Sequence, residues 1–125
     1  MKCNVPSETQ EQIALFQWAD AMKGQCPELE LMFHVPNEGT KSAARGALMK
    51  RMGVKAGVPD IILPVARKPF HGLAIELKSK VGKPSGIQQV WLDRLREQGW
   101  YAAVCHGWQE ASQTIRLYLG GNLSR

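Results

Sequence analysis

Gly57-Val58-Pro59-Asp60-Ile61-Ile62-Leu63-Pro64-Val65, followed after a short link by Leu73-Ala74-Ile75-Glu76-Leu77-Lys78-Ser79, decides how this chain folds. Both runs are rich in branched apolar residues and are bounded by Gly and Pro, which is how strands are punctuated. The link holds Pro69, Gly72 and basic charge and suits a hairpin connection. The first run, Asp60 to Val65, is apolar on both faces, as an interior strand would be. In the second, the period of two in a strand puts Ala74, Glu76 and Lys78 on one face and Leu73, Ile75 and Leu77 on the other.

Upstream of this pair, Ser7 followed by Gln10 has the form of a capping box. Ile13, Leu15, Phe16, Trp18, Ala19 and Met22 then recur at helical spacing as far as Gly24. Leu29 to Val35 reads as a short strand stopped by Pro36, and a basic helix runs from about Lys41 to Met52 with Gly53 at its end. Downstream, Ser85 opens a helix with Ile87, Trp91 and Leu95 at i, i+4 intervals and Gly99 as its stop. Trp100 to Cys105 reads as a short buried strand, and Trp108 to Leu119 as a last helix before Gly120 and Gly121. The order helix, strand, helix, strand, strand, helix, strand, helix predicts a single α/β domain over residues 1–125, with a mixed sheet covered by helices on both faces.

Composition fits one core. Hydrophobic residues make up 44% of the 125 and charged residues 22%, which argues against disorder. No apolar run approaches the roughly 18 residues of a membrane span, and Met1 to Pro6 carries no leader pattern, so a cytoplasmic protein is expected. Cys3, Cys26 and Cys105 are odd in number and far apart, and His34, His71 and His106 form no local ligand pair. Neither a disulfide framework nor a histidine metal site is indicated.

The net charge is +5, and it is unevenly spread. Residues 39 to 92 hold ten bases, among them Lys41, Arg45, Lys50, Arg51 and Lys55, against two acids, Asp60 and Glu76; the remainder holds six bases and nine acids. Clustered Lys and Arg neutralise phosphates and release condensed counterions, so nucleic acid is the first candidate partner. Those five bases are the expected contacts to backbone phosphates.

Two acids inside a basic segment mark the chemistry. Alone, Glu76 and Lys78 would read as a weak surface pair and Asp60 as a turn residue. If the two strands are neighbours, however, Asp60 and Glu76 converge, as a hard cation such as Mg²⁺ requires, and the backbone carbonyl of Leu77 could complete the ligand set. Lys78 beside them could orient or help deprotonate a water and offset charge developing on a phosphate.

Ser7-Glu8 with Gln12, Val35-Pro36-Asn37-Glu38, Gly53 through Asp60, Ile75-Glu76-Leu77-Lys78, and Ser85 with Gln88, Trp91 and Leu95 occur here in one order over nearly the whole chain. In these residues the chain resembles the VRR-NUC domain, the virus-type replication and repair branch of the PD-(D/E)xK nucleases, in its stand-alone phage and bacterial form. The resemblance implies a restriction-endonuclease-like α-β-β-β-α-β core, to which this chain adds the basic helix and the C-terminal helix. It implies Asp60 and Glu76 as metal ligands and Lys78 as the catalytic lysine. Glu8 becomes the helical acid reaching the metal directly or through water, chosen over Glu11 because Gln12 at i+4 shares its face. Gln88 would approach the site from the third helix, and as the third residue after Ser85 it also suits a capping box. The implied function is a Mg²⁺- or Mn²⁺-dependent, structure-selective DNA endonuclease of repair or recombination. A homodimeric Holliday junction resolvase is favoured, located in a bacterial cytoplasm or a phage-infected cell. The alternatives are a nuclease for flap or linear duplex DNA and a catalytically silent DNA-binding module.

Overall fold

Ser7 starts the first helix as its pattern predicts. Its hydroxyl accepts from the Gln10 N–H at 3.1 Å, and its own N–H donates to Gln10 Oε1 at 2.8 Å, so α1 runs Glu8–Met22. The computed structural model describes residues 4–36 and 42–124. Asn37, Glu38 and Lys41, singled out in the sequence, lie outside the described residues. The remaining elements are β1 (Phe33–His34), α2 (Ala43–Arg51), β2 (Ile61–Leu63), β3 (Leu73–Lys78), α3 (Gly86–Glu97), β4 (Tyr101–His106) and α4 (Trp108–Leu119).

The expected strand Leu29–Val35 is shortened to the two residues of β1. Pro27–Leu31 forms a 3₁₀ turn and only Phe33–His34 pairs as a strand. Pro27 at the first helical position presets its φ for a helical turn. Leu29 and Met32 are buried while Leu31 and Phe33 are exposed, so the apolar pattern follows a period of three rather than two.

The sheet order is β1-β2-β3-β4; β1–β2 and β2–β3 are antiparallel and β3–β4 is parallel, with α3 as the crossover. Leu73, Ile75 and Leu77 face a core built with Leu15, Ala19, Ala111, Ile115 and Tyr118 of α1 and α4. Ala74 faces Leu92 and Ala102 on the α3 side. Helices therefore cover both faces. β4, expected to be buried, is an edge strand on which only Ala102 and Cys105 are fully covered. No helix is long and apolar enough to cross a membrane among the described residues.

One loop controls the site. Gly57 has φ +88°, and a Cβ there would lie 2.9 Å from Ile87 Cγ1 and 3.0 Å from Trp91 Cδ1. Trp91 Nε1–H donates to the Ala56 carbonyl at 3.0 Å. The glycine's left-handed backbone lets the chain lie against α3 just before Asp60, where any other residue would be strained and would collide.

Candidate active site

The β2–β3 register pairs Ile61 with Ile75, so continuing it by one residue sets Asp60 opposite Glu76. Asp60 lies just outside β2 rather than within it. Its Oδ2 accepts from the Leu77 N–H at 2.8 Å, which fixes the carboxylate across the end of β3. Because the N–H and C=O of one strand residue point to the same side, the Leu77 carbonyl also faces this edge, where β2 has ended. Glu76 is 1% exposed and Lys78 is 8% exposed, with Lys78 Nζ 3.4 Å from Glu76 Oε2. A surface ion pair is thereby excluded for these two residues.

Burial, together with the Asp60 charge and only partly offset by Lys78, pushes the Glu76 carboxyl up to about 8. Its Oε1 is buried and has no hydrogen-bond partner among the described residues. A buried carboxylate with one unused oxygen beside a second carboxylate fits a divalent cation, which would lower that oxygen's energy as no neighbouring group does. No group of three or more His, Cys, Asp and Glu side chains poised to hold a metal occurs among the described residues. Mg²⁺ suits such a site because it takes one or two carboxylates and fills its remaining positions with water and phosphate oxygens.

The cleft in front of these carboxylates, about 270 Å³, is lined by Glu8, Thr9, Gln12 and Ile13 of α1, by His34, and by Asp60, Glu76, Leu77 and Gln88. His34 was not anticipated from the sequence. Its Nδ1 lies 3.0 Å from the Asp60 carbonyl oxygen and is suited to donate to it, which leaves Nε2 as the ring's other polar atom. Gln88 does both things proposed for it. Its Oε1 accepts from the Ser85 N–H at 2.8 Å in a complete capping box, and the residue also lines the cleft.

Glu8 and Glu11 separate cleanly. Glu8 lines the cleft, about half exposed, with Oε1 3.9 Å from Lys78 Nζ. Glu11 is 2% exposed on another side of α1, where its Oε1 accepts from the Trp108 N–H at 3.1 Å. The N-cap of α4 is Gly107, which has no side chain, so Glu11 supplies from a different helix the anion that helix N-terminus favours. Glu11→Ala is therefore expected to lower stability by about 1–3 kcal/mol, read as a drop in Tm. Glu8→Ala should leave Tm within a degree or two and lower only cleavage. An equal Tm loss in both variants would overturn the division of roles.

Of the predicted phosphate contacts, Arg45, Lys50, Arg51 and Lys55 are not among the residues that line the cleft. Arg45, Lys50 and Arg51 are exposed on α2, a helix with no buried residue, and Lys55 borders a groove with Ile87, Val90, Trp91 and Arg94 on α3.

A family model, the VRR-NUC domain, matches residues 6–109. A solved structure of a VRR-NUC domain protein is similar over 98% of both chains, with TM-score 0.82 and 29% sequence identity. Comparison with curated proteins finds no match.

Proposed function

Since the chain belongs to the VRR-NUC family, nucleases of the PD-(D/E)xK type whose substrate is DNA, we propose that it is a Mg²⁺- or Mn²⁺-dependent endonuclease that cuts branched DNA, with the four-way junction as its substrate. The observation that carries this reading is the convergence of Asp60, Glu76 and Lys78 at the end of β3, with both Glu76 and Lys78 buried.

In this reading Asp60, Glu76 and the Leu77 carbonyl would hold the cation, and Glu8, which lines the same cleft, would reach it directly or through water. A divalent cation held there would supply Lewis acidity toward a water and the scissile phosphate. Lys78, held against Glu76, orients the attacking water and offsets negative charge as the water oxygen bonds to phosphorus and the ester bond breaks, leaving one hydroxyl end and one phosphate end. His34 holds the Asp60 backbone through Nδ1, and Gln88 keeps the start of α3 fixed beside the site. Lys41, Arg45, Lys50, Arg51 and Lys55 contact phosphates and position the DNA without reading its sequence. Two symmetric cuts in a junction require two active sites, which a homodimer supplies. The setting is the cytoplasm of a bacterium or of a phage-infected cell.

The test is cleavage of a labelled four-way junction beside linear duplex and flap DNA of matched sequence, in Mg²⁺, Mn²⁺ or EDTA. Paired symmetric nicks confined to the junction and abolished by EDTA are expected. Metal-dependent cutting of all three DNAs would remove the junction preference, and binding without cutting under every metal would leave a silent DNA-binding module.

A further inference from the structure

On the flank of α1 opposite the catalytic cleft lies a second cleft of about 350 Å³, walled by Pro6, Gln10, Glu11, Lys80, Trp108 and Gln109. The alternation follows from helix geometry. Glu8, Thr9, Gln12 and Ile13 fall on one side of α1, and Gln10, Glu11 and Ala14 fall on the other. One helix body, about 10 Å, separates the two clefts.

Glu11 is the key residue. Its Oε1 is held by the Trp108 N–H, but Oε2 is buried with no partner among the described residues. A Cβ built on Gly107, whose φ is +92°, would lie 3.3 Å from Glu11 Oε2 and 3.5 Å from Lys80 Cε. Glycine thus spares Glu11 Oε2 and Lys80 the crowding a side chain would bring. The helix N-terminus here cannot serve a phosphate, because Glu11 already occupies the anion position and would repel a second one. What remains is an indole surface, a carboxylate acceptor, two flanking carboxamides and one ammonium. That set suits a flat heterocycle bearing an N–H donor and attached to a phosphate. Carboxylates accept from the exocyclic amino group of cytosine, and aromatic side chains stack on unpaired bases.

Resting on the nuclease reading above, we propose that this cleft takes an unpaired, amino-bearing nucleobase of the DNA substrate, cytosine or adenine, close to the scissile phosphate. The base stacks on Trp108 and donates to Glu11 Oε2, while Lys80 holds its phosphate. The site then selects DNA in which a base near the cut is free to leave its stack, which a branch point provides and intact duplex does not.

The experiment uses the full chain and branched DNAs that are identical except for one unpaired nucleotide beside the cut: cytosine, thymine or an abasic residue. Binding is read by anisotropy in EDTA and cleavage in Mn²⁺. Wild type is expected to bind and cut the cytosine DNA about tenfold better than the other two, the size of one good base contact. Glu11→Gln keeps an oxygen for the Trp108 N–H and turns the other position into a donor, so it should shift the preference to thymine. Lys80→Ala, an exposed change, should weaken binding to all three DNAs alike without altering their order. Equal binding of the three by wild type, or a cytosine preference that persists in Glu11→Gln, overturns the base pocket. Metal-dependent cutting alongside that result leaves the nuclease reading standing. Ordered binding with no cutting in any metal does the reverse, supporting the pocket and removing the catalytic reading.

Discussion

Asp60→Asn should lower metal-dependent cleavage by at least about 10³-fold, the scale on which loss of a single group aimed at transition-state charge is felt, while the protein folds normally. Normal folding is expected because the substitution is nearly isosteric. The amide oxygen can still accept from the Leu77 N–H, the contact that now fixes Asp60 at 2.8 Å, and the Gly57–Trp91 clamp behind it is untouched. What disappears is the Asp60 charge, from one of the two carboxyl groups that converge on the cleft. A cation would then have Glu76 without its partner, and a phosphate entering the cleft would meet less repulsion. DNA affinity in EDTA should consequently rise, by about threefold, as expected for one charge removed from a partly solvated site. The discriminating measurement is therefore rate and affinity on the same DNA. Cleavage within tenfold of wild type would place the reacting phosphate elsewhere, and a rate loss matched by an equal loss of affinity would make Asp60 a binding residue only.

Much of this geometry was readable along the chain because the informative contacts are local or lie on adjacent strands. Ser7 with Gln10, and Ser85 with Gln88, announce two helix starts within four residues, and both capping boxes form. The period of two in Leu73 to Lys78 puts Glu76 and Lys78 on one face, and a hairpin is enough to bring Asp60 beside them. What the sequence hid depends on distant partners. The role of Glu11 is set by the Trp108 N–H, which is 97 residues away. Nothing near His34 marks it either, since it reaches Asp60 only through the pairing of a two-residue strand. Leu29 to Val35 misled because apolar residues in a short run fit a strand or a helical turn, and Pro27 together with the positions of Leu29 and Met32 against the core decided for the turn. Nor does the E-x-K spacing disclose burial. Glu76 and Lys78 are covered because β3 lies inside the sheet with helices packed on both faces.

Glu76→Gln should stabilise the protein in EDTA at about pH 8, by on the order of 2–4 kcal/mol, and abolish cleavage at the same time. The folded chain raises the Glu76 carboxyl from its ordinary 4.5 to about 8, first by burial and then by the Asp60 charge. Below about pH 4.5 the residue is protonated in both folded and unfolded chains and contributes nothing to the difference. As the pH climbs toward 8, the unfolded chain releases its proton while the folded chain retains it, so wild-type stability falls through this window and the full penalty stands above it. Glutamine is neutral throughout and escapes the penalty. Lys78 loses its partner at 3.4 Å, but Glu8 at 3.9 Å remains, which offsets only part of the gain. Thermal unfolding in EDTA should accordingly give equal Tm values for the two proteins near pH 4 and a Tm higher by roughly 10 °C for the variant near pH 8. Adding Mn²⁺ near pH 8 should then raise the wild-type Tm, since an ion that binds only the folded state stabilises by mass action, and leave the variant unmoved. A variant that melts below wild type near pH 8 would show that the Glu76–Lys78 pair stabilises the fold, and an Mn²⁺ shift of equal size in both proteins would remove Glu76 from the cation site.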